Sequence, residues 1–224
     1  MLIRNIIVIP ARKGSQRLKN KNLLKINNKT LVERTIEFSE KIRKIDKIIV
    51  STDIKEILNL VKKYKKVFFH KRPKYLSKND SSISNLVIYL NNFFGKKFVN
   101  IMILQPTSPY RSLRHANNQW LKFINIKKKY KSIASVSIGG NNEKKKFEII
   151  DSVLVDRKNN KNKEFYQANG NFFLSNMNFI KKNNKFIVGG ETIASIIKKK
   201  KNSIDIDTEK DYKQALRLYK WKNY

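Results

Sequence analysis

Short apolar runs rich in Ile and Val alternate along the chain with segments whose apolar residues recur at helical spacing. The runs predict buried strands at 5–9, 47–50, 67–70, 99–104, 132–137 and 172–174. The intervening segments predict helices at 31–42, 54–64, 82–94, 113–124 and 211–219. Strands that alternate with helices of this length indicate a parallel sheet with helices on both faces.

The predicted fold class is therefore α/β, with a single Rossmann-like domain built on a mainly parallel twisted sheet. Ligands of such sheets bind beyond the carboxyl ends of the strands. Polar loops follow three predicted strands, after Ile9, Val50 and Leu104, so we expect these loops to form one shared site. Asp53, in the second loop, is predicted to cap the helix that follows it.

The length of 224 residues and the hydrophobic content of 40% suit one domain spanning residues 1–224. Between about 139 and 168 the pattern weakens, because 147–155 alternates like a hairpin and 157–163 is almost wholly polar. This stretch is interpreted as a small protruding dimerisation element, which predicts a homodimer. An exposed surface loop is the alternative.

The formal net charge is +33, from 50 Lys and Arg residues against 17 Asp and Glu. Such a charge is typical of nucleic-acid-binding proteins, but the lysines are spread along the whole chain and most aromatic residues occupy core-like positions. We therefore expect no nucleic-acid partner, and a positive field that gathers anionic substrates.

Two absences in the sequence bound the class of protein further. There is no cysteine, which excludes disulfides and thiolate metal sites. No apolar run approaches the roughly 20 residues that span a bilayer. No membrane partner and a cytoplasmic location are therefore expected.

The loop at 9–22 holds the strongest chemical signal. It follows a buried strand and contains Gly14, Arg12, Arg17 and several lysines. Glycine lets a backbone approach a ligand closely, and Arg and Lys side chains match phosphate oxygens. The loop lacks the Walker pattern and the three-glycine dinucleotide fingerprint, which disfavours a P-loop ATP site or an NAD site. Phosphate binding is predicted, with an exposed basic loop as the alternative.

Six segments of the chain resemble, in order, the motifs of the CMP-sugar synthetases: the acylneuraminate cytidylyltransferases and their relatives for pseudaminic and legionaminic acids. The residues at 9–22 resemble the signature loop of that family, and Leu104–Arg111 is similar to its Leu-Gln-Pro-Thr-Ser-Pro-Leu-Arg motif. The other four segments are 50–53, 72–77, 169–170 and 205–211. The likeness covers nearly the whole chain.

Some positions depart from the family pattern, and single segments have plainer interpretations. Relatives usually carry Pro and Gly where Lys19 and Asn20 stand. Taken alone, Arg72 fits a surface position and Gln105-Pro106-Thr107 fits a tight turn. Asn169-Gly170 alone fits a type I′ turn, and the Asp205–Asp207 segment alone fits a turn or a helix cap.

The resemblance implies roles for individual residues. Catalytic roles fall to Arg12, Lys21 and Asp207. The implied nucleotide-binding residues are Ala11, Arg12, Gly14, Ser15, Lys21, Asn22, Arg72, Ser81 and Ser82, and the implied sugar-binding residues are Gln105, Thr107, Ser108, Tyr166 and Asn169. Asp205 and Asp207 would hold Mg²⁺, which prefers hard oxygen ligands and retains several waters.

The implied reaction joins CTP and an acidic 3-deoxy-2-ulosonic sugar into a CMP-sugar and pyrophosphate. The Gln-Pro-Thr-Ser-Pro run and the Asn-Gly pair favour a nine-carbon sugar of the sialic, legionaminic or pseudaminic type. The alternative within the class is a cytidylyltransferase for 3-deoxy-manno-octulosonate. Alternatives of another class are a basic nucleic-acid-binding protein and a nucleotide-sugar-binding protein without turnover. His70 and His115 lie outside the motifs and are expected to be surface or packing residues.

Overall fold

The computed structural model describes residues 4–14, 17–78, 80–126, 131–139, 145–157 and 164–220. The strands are β1 (Asn5–Ala11), β2 (Lys25–Ile26), β3 (Lys29–Thr30), β4 (Lys47–Thr52), β5 (Val67–Lys71), β6 (Asn100–Ile103), β7 (Ser132–Ile138), β8 (Phe147–Ile150), β9 (Val153–Asp156), β10 (Tyr166–Asn176) and β11 (Ile193–Ile196). The helices are α1 (Leu31–Ser39), α2 (Lys55–Val61), α3 (Ile83–Phe93), α4 (Leu113–Asn125), α5 (Met177–Asn183) and α6 (Glu209–Lys220). In these ranges no helix is long and apolar enough to cross a membrane.

One sheet has the strand order β5-β4-β1-β6-β10-β7-β11-β9-β8, and β2 and β3 form a separate hairpin. The strands β5, β4, β1 and β6 run parallel, whereas β10 is antiparallel to both β6 and β7. The sheet is therefore mixed but mainly parallel, as predicted, because β7 and β11 also pair in parallel and β10 runs against its neighbours. In the described ranges no helix separates β7 from β10, and a parallel neighbour needs a longer crossover than the intervening hairpin β8–β9 provides.

Helices cover both faces of the sheet, as predicted. In β1, Ile7 and Ile9 pack with α1, α2 and α4 on one face, while Ile6 and Val8 pack with α3 and α5 on the other. All four side chains are fully buried. This alternation follows from the two-residue period of a strand, and each burial contributes about 1.5–3 kcal/mol. A strand covered on both faces offers a ligand only its end.

The starts of α1, α3, α4 and α5 are fixed by side chains that accept backbone N–H groups. Before α1, the Thr30 hydroxyl accepts from the N–H of Glu33 at 3.2 Å, and the Glu33 carboxylate accepts from the N–H of Thr30 at 3.3 Å. This reciprocal pair is a capping box, and it fixes where the helix begins.

The predicted cap of α2 by Asp53 is wrong. Helix α2 follows Ile54 without a side-chain cap, and it is the Thr52 hydroxyl that accepts from the N–H of Ile54, at 3.0 Å. The Asp53 carboxylate instead accepts from the backbone N–H of Lys13 at 2.8 Å. Asp53 therefore ties the loop after β4 to the loop after β1.

The stretch predicted as a dimerisation element belongs partly to the same sheet. Strands β8 and β9 form a hairpin whose turn residues, Asp151 and Ser152, have φ values of 47° and 67°. Two successive positive φ values indicate a type I′ turn. Phe147 of β8 also pairs with Tyr166 of β10. Residues 140–144 and 158–163 lie outside the described ranges, and dimer formation stays a prediction.

Candidate active site

A cavity of about 310 Å³ opens at the carboxyl ends of β1 and β6. We call it the basic cavity, because cationic side chains dominate its charged lining. It is lined by Pro10, Arg12, Arg17, Leu18, Lys21, Asn22, Arg72, Ser81, Ile83, Gln105, Pro106, Thr107 and Asp207. The loops after β1 and β6 thus share one cavity, as expected, and the loop after β4 is joined to them through Asp53.

Side-chain bonds to backbone carbonyls hold the loop after β1 in place. Arg12 donates to the carbonyl of Lys78 at 2.5 Å and to that of Ser77 at 3.4 Å. The Asn22 amide donates to the carbonyl of Arg12 at 2.8 Å, which closes the loop on itself. Asn20 has a φ of 54°, in the left-handed region that glycine enters without penalty and asparagine tolerates. That conformation accounts for the asparagine where relatives usually carry glycine.

Two arginines meet in the basic cavity. Arg72 is 5% exposed, and its Nε donates to the carbonyl of Leu76 at 2.9 Å. Burial, and then the positive charge of Arg12, lower the pKa of Arg72 to about 10, against the opposing effect of Asp53. Since the positive charge of Arg12 disfavours the charged form of Arg72, an anion bound near both would relieve the repulsion.

Asp207 faces these cations across the basic cavity. Its Oδ1 lies 2.9 Å from Nζ of Lys21, and its Oδ2 lies 3.6 Å from a terminal nitrogen of Arg17. The side chains of Lys21 and Asp207 are only 16% and 18% exposed. Lys21 therefore holds a carboxylate partner inside the cavity, at a place where phosphate oxygens of a ligand can compete for it.

The packing of the segment 204–207 directs its carboxylates. Ile204 and Ile206 are buried between α1 and α6. Successive side chains of extended backbone point to opposite sides, so Asp205 and Asp207 lie together on the side away from this small core. The N–H of Ile206 donates to the carbonyl of Thr107 at 2.8 Å, which joins the segment to the loop after β6.

A second cavity, of about 510 Å³, lies on the other side of Asp207. We call it the carboxylate cavity. It is lined by Ser137, Ile138, Gln167, Ala168, Asn169, Lys200, Ser203, Ile204, Asp205, Asp207, Thr208, Asp211 and Gln214. Asp211 accepts from the N–H groups of Asp207 at 3.1 Å and Thr208 at 2.8 Å, and so fixes the backbone that carries Asp207.

The carboxylates fit a magnesium ion that is shared with a nucleotide. Among the residues that the structure describes, no group of three or more His, Cys, Asp or Glu side chains forms a metal cage. Asp205 and Asp207 both line the carboxylate cavity, and Asp207 also lines the basic cavity. Mg²⁺ usually takes one or two protein carboxylates, together with waters and phosphate oxygens. Asp205 and Asp207 supply two carboxylates.

The predicted sugar-binding residues have different positions. Gln105 and Thr107 line the basic cavity, and Asn169 lines the carboxylate cavity. The Nδ2 of Asn169 is buried and has no hydrogen-bond partner among the described residues. Ser108 is fully buried and donates to the carbonyl of Asn169 at 2.7 Å, so its hydroxyl faces the backbone of β10. The hydroxyl of Tyr166 donates to Glu164 at 3.0 Å, and the residues that line the two cavities do not include Tyr166.

The predicted nucleotide-binding residues are partly brought together. Ser81 lines the basic cavity, and its Oγ is buried without a partner in the described part of the chain. Ser82 instead caps α3, accepting from the N–H of Asn85 at 3.0 Å. Ala11 is fully buried at the end of β1 and Gly14 is exposed in the loop that follows. Ser15 lies outside the described residues.

Sequence reasoning missed some residues that shape the site. Arg17 and Leu18 line the basic cavity from within the signature loop, and their position in that loop was the available signal. Ile83 lines it from the start of α3. Asp53 and Arg111 contribute through hydrogen bonds to backbone, a role that residue type alone does not reveal.

Open α/β proteins bind their ligands at the carboxyl ends of parallel strands, and the cations that line the basic cavity suit an anionic ligand such as a nucleotide. The family model described as Cytidylyltransferase matches residues 6–224, and the chain belongs to that family.

Individual relatives were found by sequence and by structure. The chain is 28% identical to N-acylneuraminate cytidylyltransferase of Escherichia coli, over 97% of this chain and 52% of the relative. It is 35% identical to CMP-N,N'-diacetyllegionaminic acid synthase of Legionella pneumophila, over 51% of this chain and 52% of the relative. The chain thus spans about half the length of these relatives.

The fold is shared with a solved CMP:2-keto-3-deoxy-manno-octonic acid synthetase, determined in complex with CTP. The TM-score is 0.75 at 13% identity, and the match covers 98% of this chain and 99% of the other. The arrangement is therefore that of a nucleotidyltransferase-type α/β fold, with a central sheet and helices around it.

Proposed function

We propose that this chain transfers CMP from CTP to the anomeric 2-hydroxyl of a nine-carbon 3-deoxy-2-ulosonic acid of the sialic, legionaminic or pseudaminic type. The observation that carries the proposal is the meeting of Arg12, Lys21 and Asp207 in one cavity at the end of β1, in a chain of the cytidylyltransferase family. The names of its sialic and legionaminic relatives support the nine-carbon class.

The basic cavity would hold the nucleotide. Arg12 and Lys21 would bind the triphosphate, because guanidinium and ammonium groups match phosphate oxygens. Arg72 and Ser81 would frame the cytosine and ribose, since both line this cavity and the Ser81 hydroxyl needs a partner. When Asp207 binds a metal, Lys21 would lose its carboxylate partner. The phosphate oxygens of the nucleotide would then take the place of that partner.

Asp205 and Asp207 would hold Mg²⁺, which when bound neutralises phosphate charge as pyrophosphate leaves. Asp207 lines both cavities, so its carboxylate stands between the nucleotide and the acceptor. Asp211 keeps the Asp207 backbone in place through its bonds to the N–H groups of residues 207 and 208.

The acceptor would lie toward the carboxylate cavity, with Gln105 and Asn169 as contacts. In the reaction the 2-hydroxyl oxygen forms a bond to the α-phosphorus of CTP, and the bond from that phosphorus to the leaving pyrophosphate oxygen breaks. The hydroxyl proton must leave, and either Asp207 or a water held at the carboxylates would accept it. Catalysis rests mainly on in-line positioning and on charge neutralisation.

The homodimer is part of the same proposal. The hairpin β8–β9 lies at one end of the sheet, and Ile150 of β8 is 54% exposed there. Exposed apolar side chains at a sheet end are suited to contact with a second copy. Light scattering of the purified protein gives the mass directly, and a monomer at all concentrations would rule the dimer out.

A substrate panel tests the activity. Pyrophosphate release is measured with CTP, UTP, ATP or GTP against N-acetylneuraminate, legionaminic acid, pseudaminic acid and 3-deoxy-manno-octulosonate, with Mg²⁺ or EDTA. The eight-carbon sugar is included because the structural relative named for it shares the fold. We expect release with CTP, a nine-carbon acid and Mg²⁺. Release with the eight-carbon acid alone supports the alternative, and no sugar-dependent release contradicts both.

A pair of lysine variants tests the site. Lys21→Met is expected to lower kcat/KM for CTP by roughly 10²–10³-fold, as for loss of one preorganised electrostatic contact. Lys29→Met is the matched control, because Lys29 also lies within bonding distance of a carboxylate, Glu37 at 2.6 Å, but outside both cavities. Equal activity of Lys21→Met and the wild type would contradict the assigned role.

A further inference from the structure

Strand β10 is irregular beside the site. It pairs with β7 on both sides of a shift between Ala168 and Phe173, and its pairing with β6 begins only at Phe173. We call residues 169–172 the β10 bulge. Gly170 in the bulge has a φ of 68°, and both Asn169 and Asn171 are buried. Buried carbonyl groups outside the regular ladder need other donors.

The donors to the β10 bulge come from the loop after β6. The Ser108 hydroxyl donates to the carbonyl of Asn169 at 2.7 Å. The backbone N–H of Gln105 donates to the carbonyl of Gly170 at 3.4 Å. Arg111 Nε donates to the carbonyl of Asn171 at 2.8 Å. Three successive carbonyl groups of the bulge are therefore bound by one loop.

The contact between the loop and the β10 bulge is close on both sides. Arg111 also donates to the carbonyl of Gln105, which closes the loop, and to the Thr35 hydroxyl of α1 at 3.4 Å. A Cβ at Gly170 would overlap with the side-chain oxygen of Gln105 and lie 3.2 Å from the Ser108 hydroxyl. Glycine is required there both for its φ and for the space.

The two parts of this contact face different cavities. Gln105 lines the basic cavity, and Asn169 lines the carboxylate cavity. We propose that Ser108 and Arg111 are positioning residues, which join the loop after β6 to the β10 bulge and thereby set the spacing between Gln105 and Asn169, the two proposed contacts of the acceptor sugar. The inference rests on the proposed function and adds to it, because Ser108 acts through the backbone of Asn169 and does not touch the sugar.

The charge of Arg111 supports this role. Burial lowers the pKa of Arg111 to about 9, and the negative charge of Asp205 acts in the opposite direction. A partly buried guanidinium that interacts with a carboxylate of the carboxylate cavity connects the wall of that cavity to the loop after β6. A lysine at this position keeps the charge but loses the fork that reaches two carbonyl groups at once.

The variants to compare are Ser108→Ala and Arg111→Lys, each with a matched control whose side-chain hydrogen bonds lie outside the β10 bulge. Ser175→Ala is the control for Ser108→Ala, because Ser175 is a fully buried serine of the same strand that donates to the carbonyls of Lys131 and Asn176. Lys131→Arg is the control for Arg111→Lys, since Lys131 is a buried cation that donates to two carbonyl groups at the end of α4, those of Phe123 and Ile126.

Three measurements are made on each protein: hydrogen exchange of the peptide that contains the β10 bulge, the Kd for CTP by calorimetry, and the KM for the acceptor sugar. For Ser108→Ala we expect faster exchange in the bulge and a sugar KM raised about three- to tenfold, the range for one lost hydrogen bond. Arg111→Lys should raise the sugar KM by more than tenfold. The Kd for CTP should stay within twofold for both, and the controls should change neither exchange in the bulge nor the sugar KM.

The outcomes separate this inference from the proposed function. Unchanged exchange in the β10 bulge overturns the inference whatever the reaction proves to be. The inference is also overturned if the control variants raise the sugar KM as much as Ser108→Ala and Arg111→Lys do, or if the Kd for CTP rises together with the sugar KM. If the wild type releases no pyrophosphate with any sugar, the proposed function fails, and the exchange measurement alone decides the role of Ser108 and Arg111.

Discussion

Each histidine of this protein is a packing residue with a hydrogen bond. His70 is 3% exposed, and its Nδ1 lies 3.0 Å from the Ser51 hydroxyl. Burial, and then the positive charge of Arg72, lower the pKa of His70 below its usual value. Burial likewise lowers the pKa of His115, whose Nε2 lies 2.8 Å from the Ser195 hydroxyl. The expectation that neither histidine belongs to the site agrees with these positions.

These shifts predict how stability depends on pH. The pKa of a histidine in the unfolded chain is about 6.5. A histidine whose pKa in the folded chain is lower destabilises the folded state at a pH low enough to protonate it in both the folded and the unfolded chain. The free energy of unfolding should therefore be full above about pH 6.5 and fall as pH drops through the folded pKa. We expect His70→Phe to reduce this fall, and the double variant with His115→Phe to reduce it further. Urea unfolding between pH 7.5 and 5.5 measures it, and an unaltered pH slope in the double variant would contradict the assignment.

At the scale of elements, the site is a set of loops joined to one another by side chains that bind backbone. Asp53 binds the N–H of Lys13, and Asn22 binds the carbonyl of Arg12, so the loop after β1 is held from two directions. Asn22 lines the basic cavity, whereas Asp53 does not. The shape of the phosphate-binding loop thus depends partly on a residue outside the cavity.

The bond from Asp53 can be tested with two substitutions. Asp53→Ala removes both the acceptor and the charge, whereas Asp53→Asn keeps an oxygen that can accept from Lys13. If the hydrogen bond matters, Asp53→Ala should weaken CTP binding about three- to tenfold. Asp53→Asn should recover most of the loss. Calorimetric titration of CTP measures both variants.

An equal loss in the two variants would contradict the hydrogen-bond role. It would indicate instead that Asp53 acts through its negative charge, which favours the charged form of Arg72 and raises its pKa. A Kd for CTP that is unchanged in Asp53→Ala would remove Asp53 from the binding site altogether.

The elements that sequence patterns predicted are those with regular apolar spacing. Strands β1 and β4 and helices α3 and α4 differ from the predicted bounds by two residues or fewer at each end. Strand β10 was predicted only at 172–174, because its first half, from Tyr166 to Asn171, is rich in amides and lacks an apolar run. Those amides are buried in spite of their polarity, and the loop after β6 supplies backbone partners for Asn169 and Asn171.

The same limit applies to the candidate site. The motifs that resemble the CMP-sugar synthetases were enough to place Arg12, Lys21 and Asp207 in one cavity. They were not enough to distinguish Gln105, which lines that cavity, from Ser108, which points into the β10 bulge. The two residues lie in one irregular loop, where no period relates sequence to direction, so only the fold decides which side chain faces the ligand.

At the scale of the whole molecule, the excess of positive charge is spread over the fold. The chain has 50 Lys and Arg residues against 17 Asp and Glu, and several of the acidic groups are already engaged near the site, as Asp53 and Asp207 are. Like charges at the surface repel one another, and unfolding lets them move apart. The same field raises the local concentration of anions such as CTP.

Salt should therefore stabilise this protein. The Debye length falls from about 30 Å at 0.01 M to about 10 Å at 0.1 M salt, so added salt screens repulsion between distant lysines first. Since 1 kcal/mol shifts the Tm of a chain of this size by about 2–4 °C, we expect the Tm to rise by at least about 3 °C over that range. Thermal unfolding in NaCl and in KCl should give equal shifts, because screening does not depend on the cation.

Sulfate at equal ionic strength should raise the Tm further if it binds the basic cavity. Lys21→Met should reduce that extra rise in Tm while keeping the rise in NaCl. A Tm that is flat or falls in NaCl would show that the surface charges do not limit the stability of the fold.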